Sequence, residues 1–477
     1  MPDSNSVLMV SSEADPIVKV GGLADAVSAL SVHLRAQGFD VRLLLPNYRE
    51  CEAEPVGRFP IGPVSLGPHR FDAEILSAYI GEVPVYLLDI PQLYDRAGVY
   101  GPRIDQAFPD NLLRYGALCA VVGSLCRTIQ WQPGIVHGHD WQSGLLPCLN
   151  QAAGGDEPLR KHFLTIHNIG YQGSFPVEGL SDIGISRDTA EQMGLIHNHR
   201  LNLLAGGISS SDAFSTVSET YSREIQQDLG FGLENIVRRR AAYLTGITNG
   251  TDYREWNPAA DRYLPARFDT ADMGGKRECK RLLQQEFSLP ESGHTPLIGM
   301  VSRLVTQKGI EELADPAHGI LQRLCREGKI QLVILGAGEQ WCEDELLRLS
   351  ALHRNLGVKI GFDTPLSHRI AAGSDFFLMP SRYEPCGLSQ LYAMRYGSLP
   401  LATKTGGIAD TVVHEETGFL FPRANPQAIY DSIECAIQVY HALPEQYAAM
   451  QQKAMRQRFT WEQSAKRYAD VYRRMRA

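Results

Sequence analysis

The chain has 477 residues, 44% apolar and 21% charged, the balance of a folded globular protein and not of a disordered, collagen-like or coiled-coil chain. The formal net charge of −8 leaves no basic footprint for a nucleic acid, and the short clusters Arg238-Arg239-Arg240 and Arg473-Arg474 read as solvated helix ends. Nine cysteines lie scattered with no C-x-x-C pair, which suits a reducing compartment and argues against a disulfide framework or a zinc ribbon. No basic segment precedes the first short apolar run, and no stretch approaches the ~18 apolar residues of a membrane span. A cytoplasmic protein with neither nucleic-acid nor membrane partners is expected.

In chain order, apolar runs predict strands over 6–10, 41–45, 83–88, 135–136, 163–166 and 213–217, then over 297–301, 331–335, 358–360, 375–379, 399–402 and 418–421. Helical patterns lie between them. Continuous runs mark strands covered on both faces, as in parallel α/β sheets. One doubly wound sheet rarely holds so many strands, so two α/β domains are expected. The turn-rich stretch 246–258, GITNGTDYREWNP, marks the boundary, which places the domains at 1–248 and 249–458. The remaining segment, 459–477, holds an amphipathic helix over 460–476, with Trp461, Ala465, Tyr468 and Val471 near one face.

Several strands lead into turns with chemistry. Lys19-Val20-Gly21-Gly22-Leu23-Ala24-Asp25 follows the first strand and opens a helix. Gly21 and Gly22 let the backbone approach a ligand, the helix N-terminus offers free N–H groups, and Lys19 suits a diphosphate. An ordinary glycine-rich turn is the alternative. His137-Gly138-His139-Asp140-Trp141 and Thr165-Ile166-His167-Asn168 also follow strands. Alternate histidines beside a carboxylate invite zinc, but no further motif at ligand spacing completes a site. No metal is expected, and Asp140 and His167 read as hydrogen-bonding groups at a sugar.

In the second half, Ser302-Arg303-Leu304-Val305-Thr306-Gln307-Lys308-Gly309 sets two cations, Arg303 and Lys308, at the carboxyl end of a strand, where open α/β sheets bind ligands. Gly336-Ala337-Gly338 begins like a dinucleotide fingerprint, but the third glycine would fall at Trp341, so a nicotinamide enzyme is disfavoured. Glu384 precedes a proline and is held in an extended turn, where a carboxylate accepts hydrogen bonds from vicinal sugar hydroxyls; Gly387 opens the next helix. Thr405-Gly406-Gly407 echoes the first turn and is expected to cradle phosphate.

Together these motifs resemble the bacterial glycogen synthases and plant starch synthases. The resemblance covers nearly the whole chain, through KVGGLAD at 19–25, HGHDWQSGL at 137–145, TIHNIGYQG at 165–173, NGTD at 249–252, SRLVTQKG at 302–309, SRYEPCGLSQLYAMRYG at 381–397 and TGGIADTV at 405–412. It implies a GT-B architecture: two facing Rossmann-like α/β domains of doubly wound parallel sheets, the site in the cleft between them, and the helix in 459–477 packing back on the first. The first domain would take the glucan acceptor and the second the nucleotide sugar. The implied reaction is retaining transfer of glucose from ADP-glucose to the non-reducing 4-hydroxyl of an α-1,4-glucan, with no cofactor or metal.

By position, the resemblance makes Lys19 a nucleotide-sugar lysine and Arg303 and Lys308 the diphosphate pair. It sets Glu384 and Cys386 near the glucosyl group, Tyr100 near the donor glucose, and Asp140, His167 and Asn249 around the sugar. Gly361-Phe362 matches a Gly-Tyr pair at the adenine, with a ring kept and a hydroxyl lost. The wider class often has a second glutamate eight residues after the first. Here that position is Tyr392, counted with the substrate-binding residues. The rivals are a GT-B enzyme using UDP-glucose or a small acceptor, and a catalytically dead glucan-binding protein; the retained Lys19, Arg303, Lys308 and Glu384 argue against the second.

Overall fold

In the computed structural model, which describes residues 3–103, 106–152 and 160–476, the chain divides into two units, Met1–Gly250 with Trp461–Ala477, and Thr251–Thr460. Residues 1, 2, 104, 105, 153–159 and 477, which fall inside the expected domain spans, lie outside the described residues.

Unit one is built on the strands β1 (Asp3–Val10), β2 (Asp40–Pro46), β3 (Gly57–Pro60), β4 (Glu74–Ile80), β5 (Val83–Asp89), β6 (Pro133–His139), β7 (Lys161–Ile166), β8 (Ala213–Thr216) and β9 (Leu244–Gly246). Their order in one sheet is β9-β8-β7-β6-β1-β2-β5-β4-β3. From β9 to β5 neighbours pair in parallel; β4 and β3 add an antiparallel edge. That edge is a departure from the purely parallel expectation. Its residues alternate between buried and exposed or carry Gly and Pro, so they leave no continuous apolar run. By contrast, Val7–Val10 and Leu43–Leu45 are buried on both faces, and each such side chain contributes about 1.5–3 kcal/mol.

The helix Gly22–Ala36 buries Ala26, Val27, Leu30 and Leu34, a spacing that faces one side of a 3.6-residue turn. The helix Trp461–Arg476 belongs to the same unit. It buries Trp461, Ala465, Tyr468, Ala469 and Tyr472 in the core cluster of unit one. Tyr472 meets the ring of Phe39 edge-on at 5.8 Å and that of Phe163 at 5.7 Å. Ser464 donates to Thr248 O at 2.6 Å and Arg467 to Gly246 O at 2.7 Å, so the helix closes over the end of β9.

Unit two holds β10 (Leu297–Val301), β11 (Gln331–Gly336), β12 (Leu356–Ile360), β13 (Phe376–Met379), β14 (Leu399–Thr403) and β15 (Phe419–Phe421). All pair in parallel, in the order β12-β11-β10-β13-β14-β15. Two lysines of the helix Gly274–Glu286 are buried under this sheet. The Lys276 ammonium donates to the carbonyls of Ala372, Ser374 and Tyr396 and to Ser398 Oγ, and Lys280 pairs with Asp375 at 2.6 Å. Burial pulls the Lys276 amine down to about 7, and its hydrogen bonds tie the helix to the loops that flank β13 and β14. Among the described residues no helix is long and apolar enough to cross a membrane.

Candidate functional site

In unit two the predicted residues gather at the carboxyl ends of neighbouring strands. Arg303 and Lys308 follow β10, Gly361 and Phe362 follow β12, Glu384 and Cys386 follow β13, and Thr405 to Gly407 follow β14. Glycines let these loops press backbone on backbone. A Cβ at Gly309, which has φ +75°, would stand 2.1 Å from Pro380 O. Arg382 N–H then bonds Gln307 O at 2.9 Å, and Gln307 Nε2 bonds Tyr383 O at 3.2 Å. Arg382 also reaches back to Glu311 and Glu312, tying the two loops by charge.

Within this frame the Lys308 ammonium sits 2.5 Å from Glu384 Oε2, which also accepts from Ser381 Oγ at 3.0 Å. Glu384 is buried and Lys308 nearly so, a pair held in a low-dielectric setting. Cys386, two residues on, is buried and in no disulfide. Gly387, with φ +67°, starts the turn into the helix Ser389–Arg395, and Gln390 Nε2 caps the carbonyls of Cys386 and Gly387 at 3.0 and 2.9 Å.

One glycine reading is corrected, and the failed fingerprint is explained. Gly407 N–H donates to Glu384 O and Pro385 O at 3.1 and 3.2 Å, and a Cβ at Gly406 would meet Glu384 O. The Thr405–Gly406–Gly407 turn therefore clamps the Glu384 loop, and the Gly407 amide is not offered to phosphate. The Gly336-Ala337-Gly338 lead has a packing reason. A Cβ at Gly336 would lie 2.0 Å from Ser302 O and one at Gly338 2.1 Å from Leu304 O, so both glycines make room for the loop that bears Arg303. Tyr392 also behaves differently from a ligand group alone. Its ring stacks on Trp256 at 3.8 Å, and Trp256 stacks on buried His368 at 3.7 Å, so one face of Tyr392 is taken by packing. Phe362 is 76% exposed, beside Gly361 with φ +127° and open space at its Cβ position.

In unit one, His139 ends β6 and Asp140 follows it, while His167 follows β7, which lies alongside. Asp140, in a left-handed backbone at φ +56°, accepts from His167 N–H at 2.6 Å and Asn168 N–H at 3.3 Å. Burial nevertheless pushes its carboxyl up to about 7. Burial pushes the His167 imidazole down to about 3, so this ring is neutral. Asn249 is buried just past Ile247, whose N–H extends the sheet to Thr216 O at 2.8 Å.

Sequence reasoning missed Glu13. Its buried carboxylate accepts from Val20 N–H at 2.5 Å, from Gly21 N–H at 2.9 Å and from Tyr100 OH, which also contacts Ser12 Oγ at 2.8 Å. The expected free amide at Gly21 is thus occupied by the chain's own carboxylate. Glu13 joins the Lys19–Gly22 turn to Tyr100; its place in the loop after β1 was the available signal. Lys19 itself is half-exposed and pairs with Asp25 at 2.5 Å. Tyr100 is further held by Asn111 Nδ2, which donates to its carbonyl at 2.9 Å, and by buried Arg114, which grips Val99 O at 2.8 Å. Both ring nitrogens of His137 are engaged, by Tyr472 OH and by Thr165 Oγ1, each at 2.7 Å. Among the described residues, no group of three or more His, Cys, Asp or Glu is arranged to hold a metal ion.

Two α/β units, each setting charged side chains and glycine turns at the carboxyl ends of a largely parallel sheet, place the chain among the GT-B glycosyltransferases. A profile described as "Starch synthase catalytic domain" matches residues 6–239, and one described as "Glycosyl transferases group 1" matches 284–457. The glycogen synthase of Treponema denticola is 40% identical, over 98% of this chain and 97% of its own. That of Myxococcus xanthus is also 40% identical, over 98% of both. Among solved structures, the catalytic domain of starch synthase IV from Arabidopsis thaliana, bound to ADP and acarbose, superposes with a TM-score of 0.88 at 29% identity, covering 98% of this chain and 99% of that one. The chain belongs to the glycogen synthase family.

Proposed function

We propose that the protein transfers glucose from ADP-glucose to the non-reducing 4-hydroxyl of an α-1,4-glucan, with retention at the anomeric carbon and release of ADP. The observation that carries this reading is the locked set of loops after β10, β13 and β14, which holds Arg303, Lys308 and Glu384 at the carboxyl ends of adjacent strands. The Arabidopsis starch synthase IV domain, solved with ADP bound, supports an adenine diphosphate as the group these cations meet. Unit two takes the nucleotide sugar, with Phe362 against the adenine; unit one takes the glucan.

As the bond between the anomeric carbon and the phosphate oxygen breaks, negative charge grows on ADP and the sugar gains oxocarbenium character. Arg303, Lys308 and Lys19 stabilise the diphosphate, so no metal is needed there. Lys308 turns from Glu384 to phosphate, and the freed Glu384 oxygens accept from sugar hydroxyls. Asp140, His167, Asn249 and Tyr100 orient the glucosyl group. No carboxylate is assigned as a nucleophile, so the acceptor attacks from the same face, its hydroxyl proton passing to the leaving phosphate oxygen. The test is incubation with ADP-glucose and glycogen, measuring released ADP and the anomeric form of the new linkage. No ADP release with glycogen, or turnover only with UDP-glucose as donor or a small sugar as acceptor, refutes the reading.

A further inference from the structure

His139 is absent from the chemistry assigned above, yet it touches that chemistry through one bond. Its Nδ1 lies 3.0 Å from His167 Nε2, and its ring packs 4.1 Å from that of His137. Its other nitrogen, Nε2, is buried with no hydrogen-bond partner among the described residues. Burial holds the rings of His137 and His139 well below the ordinary histidine range, as it does His167, so each ring carries one proton.

The contact between His139 and His167 therefore holds a single proton, and two arrangements compete. If His139 is protonated on Nε2, that N–H is buried with no acceptor, and His167 must donate inward from its own Nε2. If His139 is protonated on Nδ1, the unpartnered atom is only a lone pair, and His167 Nε2 accepts. Orphaned buried donors are rarer in folded proteins than under-satisfied acceptors, so the second arrangement wins. The proton of His167 then resides on Nδ1, a nitrogen that bonds to nothing among the described residues, on a ring that is only partly buried. The geometry points to His139 as a positioning residue that fixes His167 in its Nδ1–H tautomer, so that His167 presents a donor, and not an acceptor, to a substrate oxygen. The backbone N–H of His167 is bonded to Asp140 and fixes the main chain there, while the ring itself is held through Nε2 by His139. That the oxygen belongs to the glucosyl group rests on the function proposed above; the tautomer does not.

The experiment is nitrogen-15 NMR of the ligand-free, histidine-labelled full chain, with the His167 signals assigned by their loss in His167→Gln. The expected wild-type spectrum shows a neutral His167 with the proton on Nδ1 and a bare Nε2. In His139→Phe that preference is lost, and kcat/KM falls by about tenfold, the loss of one oriented hydrogen bond. His139→Asn, whose side-chain N–H takes the place of Nδ1–H, restores both the tautomer and most of the activity. A proton on Nε2 of wild-type His167, or an Nδ1–H form that persists in His139→Phe, overturns the assignment. Should His139→Phe not fold, the wild-type spectrum and His139→Asn decide. An intact Nδ1–H tautomer in a protein that releases no ADP would overturn the functional reading and leave the role of His139 standing.

Discussion

Replacing Asp140 by Asn should make the protein more stable while disabling it. Burial raises the Asp140 carboxyl from 3.8 to about 7, outweighing the two backbone N–H donors that pull it down. A carboxyl raised on folding binds its proton more tightly in the folded state. Its favourable contribution is fully present below pH ~3.8 and is lost as pH rises through ~7, above which a buried charge is carried at a cost that its two N–H donors only partly offset. At about 1.36 kcal/mol per pKa unit, the wild-type penalty is roughly 1.6 kcal/mol at pH 5 and roughly 4 kcal/mol at pH 8. Asn keeps the Oδ1 acceptor for His167 N–H and matches Asp in shape, so the backbone cost at this position is common to both, but it cannot ionise. The variant's advantage should therefore widen by roughly 2.5 kcal/mol between pH 5 and pH 8. Urea unfolding of both proteins across that range, followed by tryptophan fluorescence, measures it. Wild-type turnover should fall as pH drops below 7 and Asp140 takes up its proton, and the variant should be nearly inactive at every pH. A stability gap that is the same at pH 5 and pH 8 refutes the reasoning.

Arg303→Ala and Lys308→Ala should each lower turnover of ADP-glucose by about 100-fold, through loss of charge stabilisation worth roughly 3–4 kcal/mol; wild-type turnover in both would end the diphosphate assignment. Glu13→Gln removes the charge and reverses the bond with Tyr100, whose hydroxyl must then accept from the amide, and should raise KM for ADP-glucose severalfold, read in steady-state kinetics; an unchanged KM would limit Glu13 to folding. Phe362→Ala should leave stability within about 0.5 kcal/mol, since the ring is exposed. It should also shrink a preference for ADP-glucose over UDP-glucose of about tenfold, because base stacking is worth roughly 1–3 kcal/mol; an unaltered donor ratio places base recognition elsewhere. Activity should survive exhaustive chelation; a chelated enzyme revived only by one divalent ion would contradict that.

Strands buried on both faces were legible because their apolar runs are uninterrupted: β1, β2, β5 and the core strands of unit two fall close to where the sequence puts them. The antiparallel strands Gly57–Pro60 and Glu74–Ile80 were not: the first is largely exposed and carries Gly and Pro, and Ser77 interrupts the apolar run of the second. At the site, Arg303, Lys308 and Glu384 could be named from their position after strands, but the ion pair between Lys308 and Glu384 could not, because it joins residues 76 positions apart. The glycines show the limit most plainly. A sequence marks where a Cβ is missing but not what fills its space. At Gly336, Gly338, Gly406 and Gly407 the occupant is another loop's backbone, not a phosphate. Glu13 was overlooked for the complementary reason. A lone acidic residue in a loop carries no periodicity, and only the fold reveals that it fills the turn that the Lys19 motif forms.

Unit one is interrupted: its last helix, Trp461–Arg476, is separated from Gly250 by the whole of unit two. On the ribosome this sets an order. When Gly250 has emerged, the surface of Phe39, His137 and Phe163 that Tyr468 and Tyr472 will cover is still bare. At about 5–20 residues per second, roughly ten to forty seconds of translation pass before the covering helix exists. Unit two is made of one continuous stretch and can finish its own core first. The unit that starts earliest thus completes last, and through that interval it carries a sticky aromatic face for a nascent-chain chaperone to shield. A ribosome that stalls before Trp461 leaves that part of the core of unit one open.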